Sequence, residues 1–141
     1  MMAKLSDETK TLLRKAVVRA KEIPQGFDMG TWAFGKSDAP CGTAGCLAFE
    51  ICVIGGHSPK DLNESMDTDW VFIPNTAMKV LNLDGNYVDF PLFFIEVWPP
   101  DLETAYGKSP RYSLERVLVL EQAVERWIAG DGKFTEPTAE V

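Results

Sequence analysis

The residues best equipped for chemistry lie in one hexapeptide, Cys41-Gly42-Thr43-Ala44-Gly45-Cys46. Apolar patterning predicts a helix over 43–54, so Cys41 would stand just ahead of its N-terminus, where unpaired amides and the helix dipole favour a thiolate. A cysteine nucleophile also needs a base, normally histidine. The chain's single histidine, His57, lies beyond the other end of that helix, roughly 18 Å away at about 1.5 Å per residue, so no Cys–His dyad is expected within one chain. Cys46 and Cys52 fall on an apolar helix and read as small buried hydrophobes. Cys-x4-Cys with a distant histidine lacks the paired ligand spacing of structural zinc sites, so no metal site and no cofactor are expected.

The same helix start offers the amides of Gly42, Thr43 and Ala44 to a small anion, although no phosphate-loop pattern is present. The simpler reading is that Thr43 caps its own helix. The preceding stretch, 24–41, is rich in glycine and proline yet carries Phe27, Met29, Trp32 and Phe34. An aromatic loop leading into a helix start makes a candidate binding pocket of Asp28, Trp32, Cys41, Gly42 and Thr43. The alternative is that Phe27 and Trp32 plug the core while Asp28 caps a turn.

The elements that must position these groups read as helices. Ser6 can cap a helix to about Glu22 with Leu5, Leu12, Leu13, Ala16, Val17 and Ala20 at helical spacing. Between 43 and 54 the polar side chains are Thr43 and Glu50, so this helix should be central, closed by Gly55-Gly56, with the other helices around it. A buried Glu50 would need a partner such as arginine, in a structural pair rather than as an acid catalyst. His57 reads as a residue that caps or offsets the helix C-terminus. Ser58-Pro59 opens a short helix, and Trp70 to Ile73 reads as a brief strand or extended segment before Pro74. A helix from Asn75 or Thr76 to Leu81 buries Ala77, Val80 and Leu81. Residues 88–98 fit helical spacing better than alternation, and Asp101 to Tyr106 adds a turn. The clearest helix runs from the Ser113 cap to Gly130, with Leu114, Val117, Leu120, Val124, Trp127 and Ile128 inward, packed on the 43–54 helix.

The whole is expected to be a mostly α, single-domain helical bundle over 1–130 with a flexible tail over 131–141. Its 141 residues leave no room for a second full domain. No apolar run approaches the length of a membrane span and no signal-peptide core opens the chain, so a cytoplasmic protein with reduced thiols is expected. Net charge is −7, and it is unevenly spread. Residues 1–25 hold six Lys or Arg against three acids, while the rest holds eight against eighteen. Such an acidic body repels phosphates, which disfavours direct nucleic-acid binding, and it suits either a solvated surface or a basic partner.

Phe27-Asp28-Met29-Gly30-Thr31-Trp32 followed by Cys41-Gly42-Thr43-Ala44-Gly45-Cys46-Leu47-Ala48 resembles a group of short bacterial and bacteriophage proteins with the pattern F-D-M-x-x-W, then C-G-T-x-x-C-x-A. Leu92-Phe93 through Trp98-Pro99 and Arg116-Val117 through Gly130 are similar as well, so the likeness covers most of 27–130. Members often continue with Ala-Gly-Trp-Ala where this chain has Ala48-Phe49-Glu50-Ile51, which implies that a glycine-mediated helix contact is absent here. The resemblance implies a shared fold and brings no activity with it. Cys-Gly-Thr is also superficially similar to the papain-type Cys-Gly-Ser-Cys-Trp, without that family's downstream histidine. The expected function is a small, acidic, cytosolic binding or regulatory protein acting on a protein partner, with a phage protein that modulates a host factor as one form. The competing reading is a thiol-dependent enzyme using Cys41.

Overall fold

Ser6 starts the first helix by accepting the Thr9 amide on its Oγ at 3.0 Å, and Asp7 and Glu8 occupy the dipole's positive end. In the computed structural model, which describes residues 6–22, 33–34, 44–58, 60–62, 64, 71–110 and 113–134, this helix is α1 (Asp7–Glu22). Leu13, Ala16, Val17 and Ala20 form its buried stripe, as their spacing requires. Two two-residue strands, β1 (Ala33–Phe34) and β2 (Ala44–Gly45), pair antiparallel, with Ala33 opposite Gly45 and Phe34 opposite Ala44.

The central helix, α2 (Leu47–Ile54), begins four residues later than the sequence suggests. Ala44 and Gly45 are committed to the strand pair, and Cys46 is extended (φ −93°, ψ −170°), so Cys46 occupies the N-cap position, with no capping hydrogen bond from its side chain. Residues 47–52 of α2 are all buried, as a helix apolar all round demands. A turn of helix follows over 60–62, where Ser58 Oγ accepts the Asp61 amide at 3.3 Å.

Ile73 belongs to no strand. Helix α3 (Phe72–Val80) starts at Phe72 and carries Pro74 in its first turn, where the missing N–H has no intrahelical partner to lose. Ala77 and Leu81 are buried as expected, and Val80 is half-buried. The 88–98 stretch is likewise not one helix. It forms three 3-10 turns, Tyr87–Asp89, Pro91–Phe93 and Ile95–Val97, separated by extended Phe90 and Phe94. Pro91 supplies the reason at the first break, because the residue before a proline is pushed out of the helical region.

Helix α4 (Pro100–Lys108) is longer than a single turn, and α5 (Leu114–Ala129) has the bounds its signals give, with Ser113 Oγ accepting the Arg116 amide at 3.3 Å. Val117, Leu120, Val124, Trp127 and Ile128 face inward, whereas Leu114 is 45% exposed. α5 packs chiefly on α1 and α4, rather than directly on α2. The Pro91–Phe93 turn touches both α2 and α5 and so bridges them. Ion pairs from Arg14 to Glu125 (2.8 Å) and Lys21 to Glu121 (2.5 Å) fix α1 and α5 antiparallel. The fold is thus a mostly helical bundle with α2 buried between α1 and α3.

Candidate functional site

The pocket read from the sequence, Asp28, Trp32, Cys41, Gly42 and Thr43, lies outside the described residues. So does the Gly42-Thr43 part of the anion-binding turn, while Ala44 is held in β2. The two described thiols are poor nucleophiles. Burial pushes Cys46 up to about 12 and Cys52 up to about 12, and the Cys52 thiol donates to the Ile73 carbonyl at 3.3 Å. No group of three or more His, Cys, Asp or Glu able to hold a metal occurs among the described residues.

Glu50 has the structural partner that its burial calls for. It is 4% exposed, and Arg19 Nε of α1 stands 2.6 Å from its Oε1. The two atoms meet at close range but without the alignment of a good hydrogen bond, and neither has another partner among the described residues. Burial raises the Glu50 carboxyl to about 7 against the opposing pull of Arg19. His57 sits in the turn after α2, its backbone N–H donating to Cys52 and its ring edge-on to Phe72 at 5.9 Å.

A concave site lies elsewhere, at the end of the bundle where α3 and α5 terminate. Both helices end in the same device. Leu83 N–H donates to Met78 O and Asn82 N–H to Lys79 O, while Gly132 N–H donates to Trp127 O and Asp131 N–H to Ile128 O. Each is a Schellman closure, with Asn82 (φ 58°) and Asp131 (φ 54°) as the left-handed residues. At the end of α5 Asp131, and Gly132 after it (φ 96°), take positive φ, whereas Gly130 does not, its φ being −87°. α2 closes in the same way on Gly56 (φ 102°).

Between the two closures opens a cleft of about 1260 Å³. One edge is the start of α1, where the buried Thr9 hydroxyl donates to the Leu81 carbonyl at 2.7 Å and ties α1 to the end of α3. Its apolar lining comes from Phe90, Phe94, Trp127, Phe134 and their neighbours, with Phe90 edge-on to Trp127 at 5.0 Å. The Trp127 indole N–H is buried with no hydrogen-bond partner among the described residues. Asp84, Asp89 and Asp131 are exposed and line the cleft beside these rings, and Lys133 is the one cation among the described lining residues. The positive end of α1 is offset by Asp7 and Glu8, and the negative ends of α3 and α5 carry Lys79 and Arg126 in their last turns, Arg126 being paired with Asp101.

Phe134 is half-buried against the core, so the chain is packed that far beyond α5, and 135–141 lie outside the described residues. The sequence reading missed this site because its parts come from two helix ends far apart in the chain. Asp84-Gly85-Asn86 reads as a turn and 131–141 as a flexible tail, and nothing local shows that the two share a cleft. Exposed apolar side chains occur on the outer faces of α1 and α5, at Val18 (52%), Leu114 (45%) and Leu118 (40%). No described helix is long and apolar enough to cross a membrane.

Comparison with protein-family models, with curated proteins and with solved structures finds no match to this chain.

Proposed function

We propose that the chain is a small binding protein, regulatory in effect, that seats a segment of another protein in the cleft between the ends of α3 and α5. One observation carries this reading: a large concavity whose floor is aromatic and whose rim is charged, the mixture by which a site combines apolar anchoring with polar orientation. The high pKa values of Cys46 and Cys52 favour a binder over chemistry at those two thiols. A cytoplasmic setting and a bacterial host partner are the form of this proposal that the likeness to bacteriophage proteins supports.

The test is recovery of a partner from bacterial lysate with the wild-type chain and with two surface variants. Val97→Arg puts a long cationic side chain on the exposed apolar lining of the cleft while keeping its aspartates, and Val18→Glu alters the outer face of α1. One protein recovered in stoichiometric amount by wild type and Val18→Glu, and lost with Val97→Arg, is the expected result. Equal recovery by all three, or loss with Val18→Glu alone, refutes the cleft as the binding surface.

A further inference from the structure

We infer that the occupant of this cleft is a peptide segment that carries a lysine or arginine beside a large apolar side chain. The inference rests on the proposal that the cleft binds a protein, and it adds the chemistry of what is bound. Charge complementarity supplies the first step. Asp84 and Asp89 are both exposed at the rim. Lys133 offsets only part of that charge. A cation is drawn in and an anion kept out, which excludes phosphate-bearing ligands.

The second step is the floor. Aromatic faces accept both an apolar side chain and the stem or head of a basic one, so a ligand that is cationic alone would leave the half-buried rings of Phe94 and Phe134 uncovered. Size supplies the third step. Small-molecule pockets run to roughly 300–1,000 Å³, and the cleft, at about 1260 Å³, is larger. It is open along the turns of three elements, which suits a length of chain better than a compact amine.

The experiment is selection from a random peptide library displayed on yeast against the folded full-length chain. Selected peptides are then titrated into the wild type and into Asp84→Asn/Asp89→Asn, with amide shifts recorded by NMR. Both aspartates are exposed, so the double variant should keep the wild-type melting temperature, which is checked first. The expected peptides pair Lys or Arg with a neighbouring Leu, Phe or Trp, and they shift the amides of 82–86 and 131–134. At low ionic strength they should bind the double variant about fivefold more weakly, with the gap closing as salt is added. Apolar or acidic peptides that shift the same amides and bind both proteins alike overturn the charge chemistry while leaving the cleft a binding site. Failure to enrich any peptide, shifts on the Val18 and Leu118 face, or peptides displaced by a second copy of the chain overturn both.

Discussion

The Glu50 carboxyl makes folding stability depend on pH in a direction opposite to that of most acids. An ordinary glutamate titrates near 4.5, and burial in α2 moves Glu50 to about 7 even with Arg19 at 2.6 Å. The folded chain therefore holds the proton more tightly than the unfolded one. The stability this confers is fully present below the unfolded value and is lost as pH rises through about 7. At ~1.4 kcal/mol per pH unit the difference amounts to about 3 kcal/mol, as an order of magnitude. Glu50→Gln keeps the shape and cannot titrate. Urea unfolding of both proteins across pH 4 to 9, roughly the window this linkage spans, isolates the effect as the wild-type stability minus that of the variant. Glu125 and Asp101, held below the usual carboxylate range by hydrogen bonds from Arg14 and Arg126, lose their contribution as pH falls. Their effect cancels in the difference. The expected difference falls by about 3 kcal/mol from the acid to the alkaline end. Parallel curves would show that Glu50 does not titrate in this range, and a difference that grows with pH would show that attraction to Arg19 outweighs burial.

Truncating Ile51 or Leu120 to alanine removes fully buried side chains and should cost about 2–5 kcal/mol in denaturant unfolding, whereas a loss below about 0.5 kcal/mol would place them at the surface. Gly55→Ala should destabilise by roughly 1–3 kcal/mol, because the new Cβ would stand 2.6 Å from Val80 Cγ2 on a stiff β-branched side chain; a neutral result would mean that α2 and α3 are not so close there. Gly56→Ala meets no atom within 4 Å yet should still cost about 1 kcal/mol, since its φ of 102° penalises any side chain. A thiol reagent at mildly alkaline pH should leave Cys46 and Cys52 unmodified until denaturant is added, and fast reaction of either in the folded chain would contradict their burial.

Much of the helical architecture was legible because local signals agreed with one another. For α5 the Ser113 cap, the apolar stripe and the break after Ala129 all mark the same element, and its bounds follow. Glu50 stood out as a lone acid in an apolar run, which was enough to infer burial and a structural partner. Legibility failed where spacing and backbone chemistry conflicted. Phe90, Phe93, Phe94, Val97 and Trp98 fit a helical stripe, but Pro91 and the extended residues on either side of its turn break the segment into 3-10 turns. Pro74 suggested a boundary and instead sits in a first turn, where proline is harmless. Cys46 resembles the interior of a helix until Ala44 and Gly45 pair with Ala33 and Phe34, a contact that local pattern does not encode. The cleft was invisible for the same reason, being assembled by tertiary packing from the ends of α3 and α5.

The most direct test of the cleft as a binding surface is an amide-shift map of the full chain, recorded by NMR with and without the partner recovered from lysate. The expected map concentrates its changes in 82–86, 89–94 and 131–134, and these changes vanish in Val97→Arg. Changes confined to the outer faces of α1 and α5, around Val18, Leu114 and Leu118, would contradict it.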